Sequence, residues 1–223
     1  MKVKPHPKFE GVFLLDGKLA TVNLTPGHRV YGEELIKVKD VEYRIWDFWR
    51  SKPAAAIKKR LKQFPIKKGM KILYLGIASG TTSSHFSDIV GKEGLIYGID
   101  IAERPLRELM PHAERRGNII PILADSRTPE DYEKTVIEKV DLVYCDVASP
   151  DQVQILVRNS EKFLKPVGWA MIAIKSQSID VTKGPKEIYK KCLKEFEKYF
   201  EIVDKLELDP YEKAHMFVVM KAR

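Results

Sequence analysis

Apolar positions in this chain follow two regimes that meet near residue 50. Up to about Trp49, short apolar stretches are split by Asp16-Gly17, Pro26-Gly27 and Gly32, the spacing of small strands joined by tight turns. From Ser51 onward, unbroken apolar runs alternate with amphipathic segments. The runs are Lys71-Ile-Leu-Tyr-Leu-Gly-Ile, Gly94-Leu-Ile-Tyr-Gly-Ile-Asp, Asn118-Ile-Ile-Pro-Ile-Leu-Ala, Val140-Asp-Leu-Val-Tyr-Cys-Asp and Gly168-Trp-Ala-Met-Ile-Ala-Ile-Lys. Strands apolar on both faces belong inside a parallel sheet covered by helices. Pro53 opens a helix through about Gln63, and further helical segments lie around 81–91, 102–116, 130–139 and 150–164. These repeats predict a doubly wound α/β sheet. A helix from about Pro185 to Tyr199 then precedes two last strands, Glu201-Ile-Val-Asp-Lys-Leu-Glu-Leu and the run starting at His215. The turn between them is too short for a crossover helix, so they must be antiparallel. The expectation is a small mostly-β subdomain over 1–50 and, over 51–223, an α/β domain with a seven-stranded, mostly parallel sheet.

Composition adds two constraints. Lys and Arg total 39 against 31 Asp and Glu, a net charge of +8 that suits a polyanionic partner such as nucleic acid, though a heat-adapted Lys/Glu-rich surface would give the same balance. Cys145 and Cys192 lie in apolar-patterned segments and read as reduced core thiols of an intracellular protein. No Cys or His pair has ligand spacing, so no metal is expected. No apolar run approaches the ~20 residues that span a bilayer, and no membrane association is expected.

Ligands of open parallel sheets sit beyond the carboxyl ends of the strands. The first such strand ends Leu75-Gly76-Ile-Ala78-Ser79-Gly80-Thr81-Thr82, small residues that let backbone approach a ligand while the next helix offers its free N–H groups. Ala78 stands where the middle glycine of G-x-G-x-x-G would be, which disfavours a dinucleotide. The second strand ends at Asp100, 24 positions after Gly76, where a carboxylate can accept from both ribose hydroxyls or simply cap a helix. The third ends at Asp125-Ser126. Gly, Asp and Asp at three consecutive strand ends describe one nucleoside site.

Strand four ends at Asp146 and strand five at Lys175, both otherwise apolar. They are neighbours in this topology, and His215 begins the antiparallel last strand at the same edge. Each has a plain alternative: a helix cap for Asp146, a surface lysine for Lys175, a half-exposed histidine for His215. An α/β sheet closed by an antiparallel hairpin is the arrangement of Rossmann-like methyltransferases, used here as fold analogy. An NAD-linked oxidoreductase is disfavoured by the glycine spacing and the terminal hairpin.

Arg50-Ser-Lys52 before an Ala-rich helix, Tyr74 through Thr82, Asp146-Val147-Ala148-Ser149-Pro-Asp-Gln152, Ala173-Ile-Lys175, Ser178-Ile-Asp180 and Pro210 through His215 together resemble fibrillarin, as do Asn23 through Gly27 and Val30 through Glu33. The resemblance runs over nearly the whole chain. It implies box C/D guide RNA-directed 2′-O-methylation of rRNA and tRNA using S-adenosyl-L-methionine, with a Nop-domain scaffold protein and a kink-turn-binding ribosomal-type protein as partners. Its Lys-Asp-Lys-His tetrad falls on Lys52, Asp146, Lys175 and His215. Its cofactor contacts fall on Gly76–Thr82, Asp100 with Ile101, Asp125 with Ser126, and Asp146 through Ser149, with Gln152 nearby. The chain departs from common relatives at Pro53, Asp100 and Ser149, where leucine, glutamate and glutamine are usual. A non-catalytic RNA-binding scaffold on the same fold is the alternative, and it would have no use for the tetrad.

Overall fold

The computed structural model describes residues 2–223, which form two sheets. The first is antiparallel, built from β1 (Val3–Pro5), β2 (Val12–Leu15), β3 (Lys18–Val22), β4 (Leu35–Val38) and β5 (Val41–Ile45) in the order β1-β2-β3-β5-β4. Asp16 and Gly17, at φ of 45° and 87°, make the tight turn from β2 to β3 that their sequence announces.

The larger sheet follows as α1 (Lys52–Lys58), β6 (Lys71–Leu75), α2 (Thr81–Val90), β7 (Leu95–Asp100), α3 (Glu103–Arg116), β8 (Ile119–Leu123), β9 (Val140–Cys145), α4 (Gln152–Phe163), β10 (Leu164–Lys175), α5 (Ser176–Ile179), α6 (Pro185–Phe196), β11 (Phe200–Glu207) and β12 (His215–Ala222). Its order is β11-β12-β10-β9-β6-β7-β8, and β12 runs antiparallel to both of its neighbours. The chain therefore has the seven-stranded Rossmann-like methyltransferase architecture with a mostly-β N-terminal portion.

Two expected helices differ from the sequence reading. The helix after Pro53 stops at Lys58, because the chain turns through Arg60 (φ 68°) to bury Leu61 and Phe64. The segment 130–139 is a short 3-10 turn, Pro129–Tyr132, followed by further turns. Its helical period came from Tyr132 and Val136, both buried, and successive turns bury that pair as well as a helix would.

One face of the large sheet continues into the small one: Phe9, Val12, Leu19 and Trp46 share a core with Ala54–Ala56 of α1, Phe86 of α2 and Tyr144. Across this seam runs a buried ionic chain. Arg44 of β5 pairs with Glu33 at 2.6 Å and with Asp88 of α2 at 2.8 Å, and Asp88 also pairs with Arg116 of α3 at 2.7 Å. Thr21 and the Leu24 N–H donate to the same Asp88 carboxylate. His85 lies between the Thr21 and Tyr31 hydroxyls, and burial with the adjoining guanidiniums of Arg44 and Arg116 drives its pKa well below the ordinary value.

Candidate active site

Every strand end named in the sequence reading opens at one edge of the large sheet. The loop after β6 carries three positive-φ residues, Gly76 (81°), Ala78 (51°) and Gly80 (94°), so it folds back on itself before α2. A Cβ on Gly76 would stand 3.1 Å from the Asp146 carbonyl and the Val147 nitrogen, so only glycine lets this loop press against the loop after β9. Asp100 fixes the same loop from below. Its carboxylate accepts the Ala78 N–H at 2.8 Å and the Ala102 N–H at 2.9 Å, so it braces the glycine loop and the entry to α3 together. Ile101 beside it is 65% exposed, an apolar surface at a polar edge.

Asp125 faces Arg127, whose guanidinium and backbone N–H hold its carboxyl below the usual carboxylate range. Ser126 is buried, its carbonyl accepting from the Asn159 amide. Ser79, Thr81, Val147 and Ser149 are part-buried at this edge and Ala148 is exposed. Thr82 is buried, and its hydroxyl donates to Ser51 at 2.9 Å rather than facing out. This small-residue loop, the open amino end of α2, and carboxylates at the ends of β7 and β8 fit a nucleoside with a short charged tail.

Asp146 is the centre of charge. Its Oδ1 lies 3.1 Å from Lys52 Nζ and 3.0 Å from Lys175 Nζ, and Lys175 also donates to the Asp146 backbone carbonyl at 2.5 Å. The three side chains are only 13–18% exposed, so this attraction acts in a partly dried setting where charges are weakly screened. His215 stands opposite Lys175 in the β10–β12 register. Its Nδ1 lies 2.8 Å from the Lys213 carbonyl, which can only accept, so Nδ1 carries the proton and the ring is fixed in that tautomer. Lys52 of α1, Asp146 just after β9, Lys175 at the end of β10 and His215 at the start of β12 thus lie at one edge.

Two residues beside these hold the edge in place in ways that the sequence did not show. Ser51 is buried beside Lys52 and joins Trp46 Nε1 (2.9 Å) to Thr82 Oγ1 (2.9 Å), which fixes where α1 begins and hence where Lys52 points from. Its only sequence signal was its place in Arg50-Ser-Lys52. Gln152, expected near the cofactor, is fully buried. Its Oε1 accepts from the Lys175 N–H at 2.9 Å, and its Nε2 donates to the carbonyls of Lys175 (3.2 Å) and Ser149 (2.9 Å). One amide therefore ties the loop after β9 to the residue that ends β10. Gln152→Glu keeps the acceptor and loses the donor to the Lys175 and Ser149 carbonyls, of which Ser149 still accepts the backbone N–H of residue 152. The expected result is a chain that unfolds about 1–3 kcal/mol more easily in urea, the cost of a buried acceptor left without its donor, and no change in the midpoint would mean that water replaces the amide.

Comparison with known proteins agrees with this geometry. The fibrillarin family model matches residues 3–223. The fibrillarin-like rRNA/tRNA 2′-O-methyltransferase of Pyrococcus furiosus is 55% identical over 99% of both chains. The crystal structure of Aeropyrum pernix fibrillarin with natively bound S-adenosyl-L-methionine superposes with a TM-score of 0.91 at 47% identity, covering 99% of this chain and 98% of that one. A fibrillarin in complex with Nop5p superposes at 0.88 and 41% identity, covering 96% and 98%. The chain belongs to the fibrillarin family.

Proposed function

We propose that this chain is an S-adenosylmethionine-dependent RNA ribose 2′-O-methyltransferase, the catalytic subunit of a ribonucleoprotein directed by box C/D guide RNA. The observation that carries the reading is Asp146 held between two lysine ammoniums at the ligand edge of a methyltransferase sheet. A scaffold protein has no need of two lysines gathered on one carboxylate at the ligand edge, whereas methyl transfer to a hydroxyl has a use for each of them.

The cofactor would be held by the Gly76–Thr82 loop, Asp100 with Ile101, Asp125 with Ser126, and the Asp146–Ser149 loop, and when bound it supplies an electrophilic methyl group. A ribose hydroxyl is a poor nucleophile near neutral pH, so the chain's own task is to place it and accept its proton. Lys175, braced by Asp146 and Gln152, steers the 2′-hydroxyl; its ammonium first passes a proton to water, and the resulting neutral amine takes the hydroxyl proton as the oxygen attacks the methyl group. Lys52 and His215 counter the negative charge that develops on the oxygen or anchor the neighbouring phosphate. Guide pairing selects the nucleotide, and the protein reads backbone and ribose. The Nop5p complex of a relative supports a Nop-domain scaffold as partner. Target RNA in the form of pre-rRNA and tRNA, a kink-turn-binding protein and a cytoplasmic location complete the reading.

The test is transfer of tritiated methyl from S-adenosylmethionine to target RNA in particles reconstituted with guide RNA and partners. Wild type incorporates label at the guided ribose, and Lys175→Ala binds cofactor and RNA but transfers about 10²–10⁴-fold more slowly, the usual contribution of a proton-transfer group. Normal methylation by that variant removes Lys175 from the role.

A further inference from the structure

Phe48, Trp49 and Tyr211 form a cluster of rings outside the tetrad. Trp49 and Tyr211 have centroids 5.0 Å apart at 76°, Phe48 and Tyr211 5.0 Å at 64°, and Phe48 and Trp49 5.9 Å at 44°. Phe48 and Tyr211 pack against the main core, which accounts for them. Trp49 is 58% exposed, the most exposed large aromatic side chain among the described residues, and it adjoins two further rings rather than standing alone. None of its ring contacts is a parallel stack.

Its position supplies the reason. Trp49 precedes Lys52 by three residues, and Tyr211 precedes His215 by four, so the ring contact joins the two segments that deliver those side chains. The residues suited to the cofactor stand at the ends of β6, β7 and β8, on one side of Asp146 in the strand order, whereas Lys175 and His215 stand at β10 and β12 on the other. An acceptor approaching in line with the methyl group must come from that second side, where the β11–β12 turn carrying Tyr211 lies. Two cations lie close by: Lys58 sits over the Phe48 ring at 5.4 Å, and Arg50, the next residue after Trp49, sits over the neighbouring Tyr31 ring at 5.0 Å.

We infer that Trp49 is a stacking platform for a base of the RNA that carries the target ribose, with Arg50 and Lys58 beside the adjoining phosphates. An exposed aromatic face next to cations is how proteins hold RNA bases without reading their sequence. That indifference suits an enzyme whose target is chosen by base pairing. The inference rests on the RNA methyltransferase reading.

The experiment compares wild type, Trp49→Ala and Trp49→Phe in the reconstituted particle, measuring RNA affinity by equilibrium binding and methyl transfer at saturating cofactor. It is repeated with target RNAs made abasic one position at a time around the modified ribose. Base stacking worth about 1–3 kcal/mol predicts RNA affinity and kcat/KM about 5- to 150-fold lower in Trp49→Ala, at 1.4 kcal/mol per tenfold. Cofactor affinity stays unchanged and Trp49→Phe recovers most of the loss. At one abasic position wild type and Trp49→Ala become equal, because the stacked base is already gone. Unaltered RNA affinity in Trp49→Ala overturns the platform, as does an equal loss on every abasic RNA. So does a loss of Nop-protein binding with RNA kinetics intact, which would assign the ring to a protein. A wild-type particle that transfers no methyl group while the affinity pattern persists sinks the enzymatic reading and leaves the platform standing.

Discussion

Asp146→Asn slows methyl transfer in the reconstituted particle by about 10²–10⁴-fold under single-turnover conditions, with little change in RNA affinity. Asparagine keeps the shape but removes the charge that holds Lys52 Nζ and Lys175 Nζ within 3.1 Å of one oxygen. Without it the two ammoniums repel in a setting where all three side chains are at least four-fifths covered, and Lys175 leaves its place beside the acceptor. Residues that act as a unit are not additive. Asp146→Asn combined with Lys175→Ala is therefore no slower than the worse single variant. A rate for Asp146→Asn within threefold of wild type, or a fully additive double variant, would show that the carboxylate does not orient the lysine.

The second large effect is on stability. Asp88→Ala unfolds about 3–5 kcal/mol more easily in urea, the cost of leaving buried cations uncompensated. Asp88 is the anion shared by Arg44 and Arg116. Arg116 has no other carboxylate partner among the described residues, and its Nε and Nη2 are buried without a hydrogen bond. For a chain of this length the melting temperature falls by about 6–20 °C. Acid works on the same seam in a fixed direction. His85 has its pKa depressed in the folded state, so below its ordinary value of 6.5 the unfolded chain takes up a proton that the folded one refuses. Stability is lost as the pH falls from there. Glu33 adds to the loss below 4.5: burial raises its pKa, but Arg44 and the Tyr31 and Val30 N–H groups outweigh that and hold it low. A change under about 1 kcal/mol for Asp88→Ala would mean that water or relaxation satisfies both arginines, and the seam would not be the anchor described.

How much of this could be read beforehand depended on whether a residue's partners were fixed by strand topology. Asp146, Lys175 and His215 each end or begin an apolar run, so the sheet order alone brings them to one edge. Lys52 precedes a helix with no such constraint, and only its resemblance to a family motif assigned it. The structure adds the physical cause, a buried Ser51 clamped between Trp46 and Thr82. Gln152 read as a residue near the cofactor, and its burial with the amide on Lys175 and Ser149 could not be foreseen, since burial of a single amide leaves no trace in hydropathy. The pairing of Glu33, Arg44, Asp88 and Arg116 was invisible for a further reason. Charged residues in a loop, on a half-buried strand and on amphipathic helices read as solvent-facing, and only the docking of two sheets turns them inward.

That docking makes the first fifty residues unsuitable as an exchangeable cassette. A graft from another protein would have to bring an acid at Glu33, a guanidinium at Arg44 and a hydroxyl at Thr21, each at the right reach, to meet Asp88 and His85 of the recipient. The two halves work as key and lock and can drift apart in evolution only by paired change, even though neither half of that lock touches the reacting atoms.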